Sequence, residues 1–119
     1  VPTADEHIKK YEKNKELLNK EVFDIHNTGY KEWVVTIAFY SALHLVEYKF
    51  YKDSKLHTGN HKARLTNVRI NKAYRDIRSD YKYLYDQSIK ARYTADIINK
   101  DDTKEAIKSL HRIESKIIS

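Results

Sequence analysis

The chain has 119 residues, enough for one ordinary domain with one core, and only two glycines and one proline, too few breakers for a many-turned β fold. It has no cysteine, which excludes disulfides, thiol nucleophiles and cysteine-based zinc sites and makes a reducing, cytoplasmic setting the expectation. A net charge of +6 would suit a phosphate-rich partner, but the 17 acidic residues are mixed among the 23 basic ones and no compact basic block stands out.

These features predict an all-α fold: an up-and-down helical bundle of four to five helices forming a single domain over residues 1–119. The opening residues carry no charged-then-apolar signal pattern, and the lack of methionine points to a trimmed or excised start. Thr3-Ala4-Asp5-Glu6 has the form of a capping box, after which Ile8, Tyr11, Leu18, Val22 and Ile25 recur helically, so the first helix is expected to run to about His26. Asn27-Thr28-Gly29 breaks it, with Gly29 free to take the positive φ that a tight turn often needs. The second helix is expected over about Tyr30 to Lys52. Its apolar run, Trp33 to Val46, is too short and too interrupted to span a bilayer.

Asp53 to Asn60 is polar, holds the second glycine, and reads as the main loop. Asn60 can cap a third helix in which His61, Arg64, Leu65 and Val68 share a face. A fourth helix is predicted from about Asp76 or Ser79 to Tyr93, with Ile77, Tyr81, Leu84, Ser88 and Ala91 inward. Asp102-Thr103-Lys104-Glu105 reads as a second capping box opening the last helix, whose inward stripe is Ala106, Leu110, Ile113 and Ile117.

The chemistry-bearing residues lie on these helices. Tyr40, His44, Glu47 and Tyr51 fall on one stripe of the second helix, and a carboxylate or imidazole on a buried face needs a partner. His61 and Arg64 should point toward the bundle, and an inward arginine makes Glu47 its candidate partner. Tyr81, Tyr85, Ser88 and Arg92 form a second polar stripe on the fourth helix. The expectation is an anion pocket in which Arg64 and Arg92 hold oxygens, His61 and His44 donate or accept in support, and Glu47 orients Arg64 or a histidine. Tyr40, Tyr85 and Tyr93 would supply stacking faces and hydroxyls. A metal reading would join His57 and His61 to His44 and Glu47, but Thr58-Gly59-Asn60 between the two histidines reads as loop, so no metal or other cofactor is expected. Two glycines allow no phosphate-cradling loop of the usual nucleotide-binding kinds.

The run from Trp33 through Phe39-Tyr40-Ser41-Ala42-Leu43-His44-Leu45-Val46-Glu47, then Asn60-His61-Lys62-Ala63-Arg64, then Leu84-Tyr85-Asp86-Gln87-Ser88 and Ala91-Arg92-Tyr93, resembles a HEPN domain of the small prokaryotic type. The match keeps its order from about Gly29 to Tyr93. The resemblance implies a helical bundle that forms a homodimer, often beside a nucleotidyltransferase partner in toxin–antitoxin or defence settings. Active relatives are metal-independent ribonucleases with an arginine followed four to six residues later by histidine, and no arginine here has a histidine at that spacing. The function expected is therefore a nucleotide-, RNA- or anion-binding or interaction module without catalysis. A ribonuclease toxin using His61 or His44 with Arg64 is the first alternative, and a purely structural dimerisation domain is the second.

Overall fold

The computed structural model describes residues 2–118. They form five helices, α1 (Ala4–Leu18), α2 (Lys31–Ser54), α3 (His61–Ile70), α4 (Arg78–Tyr93) and α5 (Lys100–Ile117), with short 3-10 segments at Glu21–Phe23 and Lys72–Ile77 and no strand among the described residues. This is the all-α bundle the composition calls for. No helix among the described residues is long and apolar enough to cross a membrane.

The longest apolar run makes α2 the centre of the bundle, packed against α1, α4 and α5. Val34, Val35, Ala38, Phe39, Ala42, Leu45, Val46 and Phe50 are all fully buried, so α2 is covered around most of its circumference. Tyr81 and Leu84 of α4 and Ala106, Leu110 and Ile113 of α5 close the core from the other side. The short α3 packs on α4 and on the second 3-10 segment, and so stands at the edge of the bundle.

The caps explain where most helices begin. At α1, Thr3 accepts from the Glu6 amide while Glu6 returns to the Thr3 amide, the box legible in the sequence. At α3, the Asn60 side chain accepts from the Ala63 amide at 2.8 Å. Three expectations need correction. First, α1 ends at Leu18, not near His26. The Asp24 side chain accepts from the His26 amide at 2.9 Å and Thr28 donates to the Val22 carbonyl at 2.7 Å, so local side-chain bonds replace helical ones and leave Val22 exposed. Second, Gly29 does not take a positive φ; among the described residues only Lys55 does, at 58°, where it ends α2. Third, α5 begins at Lys100 because Asn99 caps it in a reciprocal box with Asp102, which leaves Thr103 buried and donating to the Asn99 carbonyl at 2.9 Å.

Candidate functional site

Glu47 is completely buried at the middle of α2, and its charge is met from two later segments. Arg64 donates through Nε to Oε1 at 2.8 Å, with only 8% of the Arg64 side chain exposed. Thr58 donates its hydroxyl to Oε1 and its amide to Oε2, the latter at 3.3 Å. His57 Nδ1 stands 3.4 Å from Oε2. The carboxylate thus holds the α2–α3 loop and α3 against α2, and its charge is compensated by a guanidinium.

Arg64 continues the network outward. Its Nη1 donates to His61 Nδ1 at 3.0 Å, which requires a neutral imidazole carrying its proton on Nε2. Burial, helped by Arg64 and Arg92, holds His61 below its ordinary pKa. On the other side of Glu47, His7 of α1 is buried, with Nδ1 3.1 Å from His44 Nδ1 and Nε2 3.4 Å from His57 Nδ1. Burial also lowers His7, and burial reinforced by His7, Lys10 and Arg64 lowers His44 to about 4.

Depressed imidazoles make stability depend on pH. In the unfolded chain these histidines titrate near 6.5, so the unfolded state binds more protons than the folded one below that value. The His44 contribution is complete above about pH 6.5 and is lost as pH falls toward about 4, and His7 and His61 act in the same direction. Urea midpoints should therefore fall over that window, and His44→Gln should flatten the slope. An unchanged slope in that variant would contradict the burial of a neutral imidazole.

Arg92 occupies a separate aromatic cage. Its guanidinium lies 4.8 Å from the Tyr93 ring, 5.4 Å from Tyr40 and 5.8 Å from Phe39. Its donors reach the Tyr40 hydroxyl at 2.9 Å, the Tyr93 hydroxyl at 3.3 Å, and the Ser88 carbonyl and hydroxyl, each at 3.2 Å. Phe39 links this cage to His61, Tyr81 and Tyr85 through ring contacts of 5.7–5.8 Å. The expected residues therefore form two connected groups: Glu47, Arg64, His61 and His44 in one, and Arg92, Tyr40, Tyr93 and Tyr85 in the other. Arg64 gives two donors to Glu47 and His61, and Arg92 gives most of its donors to Tyr40, Tyr93 and Ser88, so the two expected anion-holding arginines are held mainly by the protein itself.

Further cations line a groove of about 600 Å³ between α3 and α4. Lys62 and Arg69 line it from α3 and Arg78 and Lys82 from α4, over a floor of Leu65, Val68 and Tyr85, with no carboxylate in the lining. Arg78 is positioned by donating to the carbonyls of Val68 at 2.9 Å and Asn71 at 3.2 Å, which also caps the C-terminal end of α3. Lys82 pairs with Asp86 at 2.7 Å and lies 5.8 Å from the Tyr85 ring. Lys62 and Arg69 have no ion pair among the described residues. An adjoining cavity of about 520 Å³ shares Lys62 and is also lined by Asn67, whose Nδ2 is buried without a hydrogen-bond partner.

Sequence reasoning missed His7, Thr58 and the four groove cations. The cations carried a usable signal: Lys62 and Arg69 are seven apart on one helix and Arg78 and Lys82 four apart on the next, so each pair shares a face. His7 carried none, since only the docking of α1 brings it to Glu47. No family model, curated protein or solved structure matches this chain. The class defined by its own geometry is an all-α bundle with a buried histidine–carboxylate–arginine network and a basic groove beside it.

Proposed function

We propose that the domain is a non-catalytic, HEPN-like module that binds the phosphate backbone of RNA, or a nucleotide, in the α3–α4 groove. The observation that carries this reading is four cations around a groove of about 600 Å³ with no acid in its lining. That volume falls within the size of ligand sites, and the Tyr85 ring in its wall offers a face on which a base can stack. Lys62 and Arg69 serve as the free phosphate contacts, while Arg78 adds positive potential from the opposite wall, where Lys82 is paired with Asp86. The buried Glu47–Arg64 pair anchors α3 and so fixes the groove's α3 wall.

The test is binding of a fluorescently labelled oligoribonucleotide, followed by anisotropy across a salt series. Lys62→Ala with Arg69→Ala should weaken binding at least about tenfold and lower the slope of log affinity against log salt by about 0.7 for each cation removed. The helical circular dichroism should not change. Equal affinity in the double variant would reject the groove.

RNA cleavage is a second reading, favoured by the 3.0 Å contact between Arg64 and His61. The binding reading is preferred because Arg64 is buried and already neutralised by Glu47, which leaves it poorly placed to steady a phosphate. The homodimer is also part of the proposal. Trp33 and Arg92 line one surface cavity, and Trp33 and Tyr93 are 59% and 71% exposed, which provides an aromatic patch for a second copy.

A further inference from the structure

Three imidazoles and a carboxylate from α1, α2 and the α2–α3 loop meet at a place the proposed groove does not use. His7 and Glu47 are 4% and 0% exposed, while His57 keeps 26% of its side chain in solvent and gives the cluster a route of access. One ligand atom from each of these three residues lies within 4.8 Å of the others. Two of the separations, His57 Nδ1 to Glu47 Oε2 and His57 Nδ1 to His7 Nε2, are both 3.4 Å. A tetrahedral ion with bonds of ~2.0–2.1 Å sets its ligands ~3.3 Å apart, so two edges of such a site already have the right length.

Proton counting points the same way. His57 Nδ1 faces both the carboxylate and the His7 ring nitrogen, and one Nδ1 proton can serve only one of them well. If that nitrogen carries no proton, its lone pair confronts the carboxylate. A cation would accept the lone pairs of all three groups at once.

The outer contacts suit this arrangement too. With His7 ligating through Nε2, its Nδ1–H is free to donate to His44 Nδ1 at 3.1 Å, the kind of second hydrogen bond that fixes a ligating imidazole. Arg64 and the Thr58 hydroxyl bind Glu47 Oε1, and Oε2, which accepts the Thr58 amide at 3.3 Å, keeps its other side toward His57. We infer that His7, Glu47 and His57 form a binding site for a divalent transition metal of the zinc type, with His44, Arg64 and Thr58 as outer partners. Three protein ligands leave a fourth position for water. The ion would fasten α1 and the α2–α3 loop to α2. The metal set considered from sequence joins His57 and His61 to His44 and Glu47 and is set aside for the loop between the two histidines; His61 turns to Arg64, and the third ligand that set lacks is His7.

The test is zinc titration of the chelator-stripped full chain, by calorimetry and by thermal unfolding, with magnesium as the control. One zinc ion per chain should bind and raise the melting temperature, while magnesium should do neither. His57→Ala alters a partly exposed loop side chain, should keep the wild-type circular dichroism, and should weaken zinc binding at least about tenfold. His26→Ala and His111→Ala should bind as wild type does. Cobalt gives a second readout, an intense four-coordinate visible spectrum that His57→Ala reduces to that of hydrated cobalt. The inference is overturned if the stripped wild type shows neither heat nor a thermal shift with zinc. Wild-type zinc affinity in both His57→Ala and His7→Asn would overturn it equally.

Discussion

Replacing Glu47 with alanine is expected to destabilise the bundle by about 3–5 kcal/mol, the cost of leaving one member of a buried ion pair unpaired. Glu47 is 0% exposed and receives Arg64, the Thr58 amide and the Thr58 hydroxyl, so its loss strands a guanidinium and two further donors. Arg64→Ala should cost a similar amount by stranding the carboxylate. A double replacement, Glu47→Leu with Arg64→Met, removes both charges and should recover most of the loss, because apolar packing can substitute for a buried pair. Urea denaturation of the three variants measures this directly. A loss below about 1 kcal/mol for Glu47→Ala would mean that the pair behaves as an exposed one.

Phe39→Ala should cost about 3–5 kcal/mol, the usual range for deleting a buried aromatic ring. Phe39 is fully buried and meets Tyr40 at 5.3 Å, His61 at 5.7 Å, and Tyr81 and Tyr85 at 5.8 Å, so its ring joins α2 to both α3 and α4. The Arg92 guanidinium also rests on it. The cavity would therefore loosen the arginine cage and the Tyr85 side of the groove, and ligand binding should weaken along with stability. Trp33→Ala is the contrasting case: a larger ring, but 59% exposed on the proposed dimer face, and expected to change the stability of the single chain at dilution by no more than about 0.5 kcal/mol. Equal losses at the two positions in thermal or urea unfolding would contradict the core assignment.

The parts of this molecule that sequence made legible are those set by local chemistry or by a large burial penalty. Thr3 and Asn60 are caps whose partners lie three residues away, and the scarcity of glycine and proline leaves helices as the economical fold. The Glu47–Arg64 pairing was legible because an inward carboxylate and an inward guanidinium have few tolerable alternatives to one another. Where two good local signals competed, sequence chose wrongly. Asp102 looked like the start of a box with Glu105, yet Asn99 makes a reciprocal box with Asp102 and starts the helix earlier. His7 was beyond reach until the docking of α1 brought it to Glu47, whereas His57 was set beside Glu47 only in the metal reading, with His61 as its companion in place of His7. The groove was hidden for a related reason: Lys62 and Arg69 share one helix and Arg78 and Lys82 the next, and only the packing of α3 on α4 brings the two pairs to one cleft.

Amide chemical-shift mapping with a short single-stranded RNA is the measurement that decides whether the α3–α4 groove is the binding surface. Perturbations should concentrate at Lys62, Leu65, Arg69, Lys82 and Tyr85 and diminish as salt is raised. Saturable binding with shifts confined to the Trp33 and Tyr93 surface, or no shifts at an RNA excess, would contradict the assignment of function to this groove.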